Sequence, residues 1–242
     1  MSKIALINGK TCDLNTNKDT LLNIIINNGK IVGLGYVPDD DDSEVINIVG
    51  CLIIPGITLT PPNTLQKITR DLLFSPELLK TFFQEVNSSR TTLVTTDVSG
   101  SELLYALQLS KQHNVHLHVE LQNTQTDLAI IQQAKAEQIA ISTSVSYLLI
   151  KENPTFKNTV PGLTKGKIID CISATESAKI DCLEFCFNEL LTFLTLHEVI
   201  TLITKNPTSL YGVKIPSLSL LSKPSFHVIQ PKHSPCVRLT MA

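Results

Sequence analysis

The sequence predicts an α/β fold whose two ends are rich in β-strands. Residues 4–55 show the apolar pattern and the turn residues of successive strands. From Pro76 onward, strand-like and helix-like segments alternate, which is typical of parallel βαβ units. After Gly212, short strand-like segments return between prolines. These three observations predict a central α/β domain flanked by β-rich segments.

Turn residues divide the first part of the chain into strands. Asn8-Gly9 and Asn28-Gly29 each predict a hairpin turn, because both residues of such a pair tolerate positive φ. The run of four acids from Asp39 to Asp42 is interpreted as a solvated loop, with metal binding as the alternative, because no EF-hand spacing follows it. Two further strands are predicted on either side of Pro55-Gly56, at Cys51–Ile54 and Ile57–Thr60.

The central region alternates between the periods of helices and strands. Pro76 begins the first helix, since proline is tolerated in the first helical turn. The pattern predicts helices at 76–86, 100–112, 124–136, 181–194 and 196–204. It predicts strands at 91–98, 115–121, 139–150 and 167–173.

Composition and charge exclude several classes of protein. The 242 residues carry a formal charge of −2, with 43% hydrophobic and 17% charged residues, which is typical of a folded globular chain. No basic block indicates contact with nucleic acid or a membrane surface, and no apolar run reaches the length of a transmembrane helix. The first residues lack the apolar core of a signal peptide. A cytoplasmic protein is therefore expected.

The cysteines are interpreted as buried, reduced thiols, because no secretory signal is present. Cys182 and Cys186 lie four residues apart and share one face of a predicted helix. A metal pair is the alternative, but zinc needs two further ligands. Packing is the favoured interpretation for all six cysteines: Cys12, Cys51, Cys171, Cys182, Cys186 and Cys236.

Two pairs of polar residues are candidates for a site. His116 and His118 lie two residues apart on a predicted strand, so their rings share one face, as a metal pair requires. Glu120 is the nearby acid on that face. Ordinary strand histidines are the favoured interpretation, and a metal site is the alternative. Asp97 and Glu176 are acids at predicted strand ends, where barrel enzymes form their sites, but solvated loop acids are the favoured interpretation.

The segment Gly50–Asn63, GCLIIPGITLTPPN, carries the signal of a known family. Together with the strands before it, the segment resembles the N-terminal end of the amidohydrolase superfamily, in its dihydroorotase and hydantoinase branch. In that branch the strand after Pro-Gly carries Asp-x-His-x-His. Here Leu59 stands at the position of the aspartate, and Pro61 and Asn63 stand at the positions of the two metal-binding histidines. The family's start is present without its first ligands.

Three later segments resemble dihydroorotases in the same order along the chain. They are TQTDLAIIQQAKAEQIAISTSVSYLLI at 124–150, KIIDCISATESA at 167–178 and LTLHEVITLITKNPTSLYGV at 194–213. In that family the closing strands return to the N-terminal sandwich. The resemblance therefore implies a composite β-sandwich of residues 1–55 and 213–242. It also implies an α/β domain derived from a TIM barrel over residues 56–212.

The family's other functional groups fall on residues of different chemistry. The resemblance places its later metal-binding histidines on Leu121 and Leu149, its catalytic base on Thr175 and the following histidine on Glu176. Its carbamylated lysine has no counterpart here. Zinc needs nitrogen, oxygen or sulfur donors in a fixed arrangement, and without zinc no bound water is activated. The resemblance therefore implies no catalytic residue, no metal and no cofactor.

The length of the central region predicts a reduced barrel. Gly56 to Gly212 spans 157 residues, whereas a (β/α)8 barrel takes roughly 200–250. The shortage lies mainly after residue 63, so the barrel is expected to be truncated or rebuilt. An open parallel sheet exposes an edge and an apolar flank that need cover. A partner protein or self-association is therefore expected.

The resemblance implies a non-catalytic dihydroorotase-like subunit, an assembly partner of aspartate transcarbamoylase in pyrimidine biosynthesis. Two alternatives remain open. The first is a small-molecule-binding regulator that uses the old barrel pocket, and a monomer that binds a pyrimidine intermediate would favour it. The second is a hydrolase rebuilt around His116, His118 or a cysteine, and a bound metal would favour it.

Overall fold

The computed structural model describes residues 3–13, 18–36, 43–58, 65–88, 93–122, 125–175, 178–213 and 218–230. The chain divides into two compact units, each with its own β-sheet. Unit 1 comprises Met1–Thr58 and Cys186–Ala242, and unit 2 comprises Leu59–Phe185. Sheets and helices in these units confirm the predicted α/β class.

The strands and helices have the following bounds. The strands are β1 (Lys3–Asp13), β2 (Lys18–Asn27), β3 (Lys30–Leu34), β4 (Ser43–Asn47), β5 (Leu52–Pro55), β6 (Lys67–Ile68), β7 (Leu93–Thr96), β8 (His116–Leu121), β9 (Ile141–Ser146), β10 (Cys171–Ser173) and β11 (Phe226–Ile229). The α-helices are α1 (Arg70–Leu73), α2 (Pro76–Ser88), α3 (Gly100–His113), α4 (Gln125–Ala136), α5 (Tyr147–Glu152), α6 (Pro154–Lys165), α7 (Lys179–Asn188), α8 (Leu196–Ile200) and α9 (Asn206–Tyr211). A 3-10 helix covers Leu190–Thr192, and a π-helix covers Thr201–Lys205. None of the helices within the described residues is long and apolar enough to cross a membrane.

In unit 1, the described residues form a sheet with the order β11-β5-β1-β2-β3. Strand β4 also pairs with β1, in parallel over Lys3–Ile7, and β5 pairs in parallel with β1 at Lys10 and Thr11. Strand β11 pairs antiparallel with β5, so a strand from the C-terminal part of the chain lies in the same sheet as the N-terminal strands. The backbone of Ile31 in the edge strand β3 bonds with Leu221 and Ser222. These bonds cover part of an edge that would otherwise be open.

The two Asn-Gly pairs have different roles. Asn28 and Gly29 have φ of 50° and 68° and join β2 to β3, so the hairpin predicted there is confirmed. The hairpin predicted at Asn8-Gly9 is wrong, because these residues form an irregularity within β1. At this point β1 exchanges its neighbour β4 for β5, and Asn8 takes a φ of 63°. A bulge permits this change because it re-aims the strand locally.

In unit 2, the described strands β6 to β10 form a parallel sheet in their chain order. Helices lie between successive strands along the chain, as the sequence predicts for βαβ units. Sequential order means that each new strand is added at the same edge of the sheet. This arrangement places the carboxyl ends of all five strands along one edge, where α/β proteins form their sites.

Three of the predicted strands differ in extent. The segment 139–150 is the strand β9 followed by the helix α5, which begins at Tyr147. The strand predicted at 167–173 is confined to β10. Its first residues leave the sheet because Lys167 takes a φ of 55° and Lys135 Nζ binds the carbonyls of Lys167 and Ile168. The strand predicted at 57–60 is wrong at residues 57 and 58, and residues 59 and 60 lie outside the described residues. The acid run 39–42 also lies outside the described residues.

The last helical segment continues through the point where the sequence predicts its end. Helix α8 begins with a capping box between Thr195 and Glu198, then passes into the π-helix and into α9. Pro207 has no N–H to donate to the carbonyl of Ile203, four residues earlier. That carbonyl instead accepts a bond of 3.1 Å from the N–H of Thr58. Gly212, with a φ of 65°, ends the segment.

Candidate functional site

The sheet of unit 2 has a largely apolar face and a polar face. Side chains alternate between the faces along each strand, and residues paired in register share a face. Leu117, Val119 and Leu121 of β8 lie on the apolar face with their partners on β9. The opposite face carries the chemistry-bearing side chains, which are Thr95, His116, His118, Glu120, Ser142, Ser144, Cys171 and Ser173. The polar face is therefore the candidate site.

A chain of hydrogen bonds joins β8 to β9 on this face. Ser142 Oγ lies 2.8 Å from His116 Nε2 and 2.9 Å from His118 Nδ1. The other ring nitrogen of His118, Nε2, lies 3.1 Å from Ser144 Oγ. Since a neutral imidazole has one donor and one acceptor nitrogen, Ser142 donates to one ring and accepts from the other. We name the four residues the His–Ser chain.

Burial keeps both rings of the His–Ser chain uncharged near neutral pH. Burial is the largest of the effects that lower the pKa of His118 to about 4, and electrostatic interaction with His116 and Lys135 contributes to the same shift. Burial also lowers the pKa of His116. The Asp170 carboxylate raises this pKa and the Lys135 ammonium lowers it, but burial has the largest effect. His118 is 1% exposed, so desolvation of a charged ring is costly.

The geometry gives the two histidines a structural role. His118 uses both ring nitrogens in bonds to serines, and His116 uses Nε2 in the same way. Both rings lie in the amino-terminal half of β8, away from the carboxyl edge of the parallel strands. Within the described residues, no group of three His, Cys, Asp or Glu side chains is arranged to hold a metal ion. The His–Ser chain therefore ties β8 to β9.

Neither Ser142 nor Cys171 has the environment of a nucleophile. Ser142 lies between two bases, as an activated serine would, but it is 6% exposed and its oxygen is already bonded to both rings. Cys171 is 1% exposed, and burial raises the pKa of its thiol, which therefore stays protonated. Cys51, Cys182 and Cys186 are also buried thiols, as the sequence predicts.

Acidic side chains near the carboxyl edge are engaged in local bonds. Asp97, which follows β7, forms an ion pair of 2.7 Å with Lys67 on β6. Glu120 on β8 accepts a bond of 3.3 Å from the hydroxyl of Ser173 on β10. Glu176, the suggested partner of Asp97, lies outside the described residues. The two described carboxylates are thus held by separate partners.

The positions carried over from the dihydroorotases have varied surroundings. Leu121 is 2% exposed and ends β8 on the apolar face, where it packs in the core. Leu149 is half-buried on α5 rather than on a strand, and Thr175 is exposed after β10. Pro61 and Asn63 lie outside the described residues. None of the three described side chains has a donor that zinc commonly uses in proteins.

A second polar cluster lies at the other end of the strands. Lys135 on α4 binds Asp170 at 2.7 Å and also donates to the backbone carbonyls of Lys167 and Ile168. Asp170 also accepts a bond of 2.8 Å from the N–H of Thr143 on β9. Polar groups at the amino ends of parallel strands generally serve stability. This cluster fixes the entry into β10.

The sequence-based candidates do not include the serines of β9, although the spacing of these serines could have indicated them. Ser142, Ser144 and Ser146 are spaced by two residues, so they share one face of β9. His116 and His118 have the same spacing on β8. Two facing rows of small hydroxyls and imidazoles predict bonds across the strands, once the strands are known to be neighbours. The register between them is the missing information.

Several solved structures are similar to this chain. A dihydropyrimidinase from Brevibacillus agri NCHU1002 has a TM-score of 0.62 at 11% sequence identity, over 93% of this chain and 86% of that chain. L-hydantoinase (dihydropyrimidinase) from Arthrobacter aurescens has a TM-score of 0.65 at 10% identity, over 94% and 86%. The inactive dihydroorotase-like domain of the Chaetomium thermophilum CAD-like multifunctional protein has a TM-score of 0.50 at 18% identity, over 61% and 52%.

These likenesses show the fold alone, which is similar to that of dihydropyrimidinases and hydantoinases. The resemblance found in the sequence is confirmed at that level. No protein-family model and no curated protein sequence matches the chain. Activity and partners therefore have to be argued from the residues.

Proposed function

We propose that the chain is a non-catalytic, dihydroorotase-like protein with a truncated amidohydrolase barrel. The observation that carries the proposal is the place of the described strand histidines, His116 and His118. They lie in the amino-terminal half of β8 and are bonded to β9 serines, whereas a barrel enzyme needs its ligands at the carboxyl edge. Both ring nitrogens of His118 are hydrogen-bonded to serine hydroxyls, so neither nitrogen has a free lone pair for a metal.

The chemistry of the edge supports the same conclusion. Hydrolysis of a cyclic amide requires an activated water and a base within hydrogen-bond reach of it. The described carboxylates nearest the edge, Asp97 and Glu120, are held by Lys67 and Ser173. Thr175, at the position of the family's base, has a hydroxyl that does not ionise in water. Among the residues that the structure describes at this edge, none is seen to supply either function.

We further propose that aspartate transcarbamoylase is the partner of this chain. The support comes from the sequence resemblance to dihydroorotases and from the likeness to an inactive dihydroorotase-like domain of a multifunctional protein. A truncated barrel adds a physical reason, because a parallel sheet with open edges needs cover from another protein. The proposal assigns the chain an assembly role.

Co-expression tests the partnership. The chain and the catalytic chain of aspartate transcarbamoylase are expected to elute together from a size-exclusion column, at a larger size than either alone. A hydantoinase, which shares the fold, is the matched control and should elute separately. Separate elution of the two folded proteins at micromolar concentration would contradict the partnership. A large species that contains this chain alone would favour self-association instead.

A further inference from the structure

Three buried polar atoms on the last helical segment have no hydrogen-bond partner among the described residues. They are Nδ1 of His197, Oγ1 of Thr201 and Oγ1 of Thr204, which we name the polar stripe. Thr204 is 0% exposed, so bulk solvent does not reach its hydroxyl. Buried polar groups in native proteins are nearly always bonded, either to protein or to ordered water. The polar stripe therefore indicates a bound group.

The spacing of the polar stripe places its members on one side of the segment. Positions 197, 201 and 204 are separated by four and three residues, the separations of neighbours on a helix surface. The π-helix begins at Thr201 and includes Thr204, so the backbone is widened between them. The next threonine, Thr208, is satisfied differently, since its hydroxyl donates to the carbonyls of Thr204 and Lys205. The lack of partners thus ends within the π-helix, before Thr208.

The chemistry of the polar stripe selects a small neutral ligand. Hydroxyls and imidazole can each donate or accept, so a ligand that can do both fits any orientation of these groups. Glu198 Oε2 accepts bonds from the backbone N–H and the hydroxyl of Thr195, at 2.7 and 2.9 Å, so this oxygen is engaged in the capping box. Lys205 is exposed and does not supply an internal charge for an anion. Water meets these conditions and typically makes about three such bonds when it is buried.

We infer that the polar stripe holds internal water bonded to His197, Thr201 and Thr204, and that at least two molecules are needed, because the helix rise separates positions 197 and 204 by about 10 Å. The water links α8 to the π-helix, at the turn whose Ile203 carbonyl accepts the bond from Thr58. The inference concerns unit 1 alone and does not depend on the proposed function.

Isosteric threonine-to-valine variants test the inference by the sign of the change in Tm. Thr204→Val removes one bond to the water and is expected to lower Tm by about 2–4 °C relative to the exposed control Thr155→Val. If the hydroxyl is truly unbonded, valine removes a desolvated polar group and Tm rises. An unchanged or raised Tm overturns the inference. Circular dichroism establishes that each variant keeps the fold.

A crystal structure of the full chain gives the direct measurement. The inference requires electron density for water within about 3.2 Å of each of the three atoms, and loss of the water beside residue 204 in Thr204→Val. Density for this water that persists in the valine variant, or none in the parent protein, overturns it.

Discussion

At the scale of single residues, His118 shows how burial decides the role of a side chain. A histidine two residues from another histidine is a candidate metal ligand in the sequence. In the structure it is 1% exposed, bonded to Ser142 and Ser144, and has a pKa lowered to about 4. The groups that affect its charge are His116 and Lys135, and the Asp170 carboxylate lies near both.

The first prediction is that the protein loses stability as the pH falls from about 6.5 to about 4. The unfolded state binds a proton at His118 over this range and the folded state does not, so the free energy of unfolding decreases with falling pH. The loss is about 3 kcal/mol at most, and it levels off below pH 4. Urea denaturation at pH 7 and pH 4.5 measures it.

His118→Gln is the matched variant, because its amide keeps hydrogen-bonding capacity without a proton to gain. The difference between the two pH values should be smaller in the variant by about 2 kcal/mol. Equal differences in both proteins would show that His118 titrates normally in the folded state.

The second prediction concerns a glycine at the bulge of β1. A Cβ added at Gly9 would lie 2.6 Å from Ile53 Cδ1 and 2.7 Å from Ile48 Cδ1, both buried in the core of unit 1. Gly9→Ala should therefore lower the free energy of unfolding by about 1–3 kcal/mol. Gly33→Ala is the control: its Cβ would meet the ring of Tyr36, which is 52% exposed and can move away. Chemical denaturation of both variants decides, and equal effects would refute the role assigned to Gly9.

At the scale of elements, the sequence is informative where a helix has one apolar face. The helices predicted at 76–86 and 100–112 match α2 and α3 within two residues, because their apolar residues recur at helical spacing. The predicted ends of helices and strands are wrong where contacts with distant parts of the chain replace local hydrogen bonds. Tyr147 begins a helix inside a strand-like run, and the carbonyls of Lys167 and Ile168 are taken by Lys135. Local pattern contains no information about these partners.

The site follows the same rule. The H-x-H spacing predicts that two rings share a face, and they do. The register of β8 with β9, which places Ser142 beside His118, depends on strand pairing that no single sequence window contains. Asn8-Gly9 is the counterpart in unit 1, where a turn dipeptide lies inside a strand because β1 has two neighbours on one side.

The third prediction concerns β11 as an element of the sheet of unit 1. Phe226 is 2% exposed and belongs to the core cluster with Ile53 and Ile31. Phe226→Ala should lower the free energy of unfolding by about 3–5 kcal/mol, because it leaves a cavity in that core. Leu220→Ala, at a side chain that is 57% exposed, should change it by less than about 0.5 kcal/mol. Similar effects of both variants would mean that β11 contributes little to the core.

Hydrogen exchange locates the effect of the Phe226 variant. Amide protection should fall first in β5, whose residues Leu52 to Pro55 pair with β11. Protection that falls equally across β6 to β10 would instead indicate global unfolding.

At the scale of the whole molecule, the fold is similar to that of hydantoinases and dihydropyrimidinases, although the sequences have little in common. Identities of 9–18% accompany TM-scores of 0.50–0.65. Fold alone does not determine activity, since one scaffold can bear many sites or none. The polar face of unit 2 illustrates this: its histidines and serines bond to one another, so the interactions that could have served chemistry hold the strands together.

Dihydroorotate ring opening by the purified chain, in buffer with added zinc, tests the proposed absence of catalysis. We expect no turnover above the rate of the heat-denatured protein, and the same rate for His118→Gln. Turnover by the parent protein that is lost in His118→Gln would contradict the account, since it would show a hydrolase site built on the His–Ser chain.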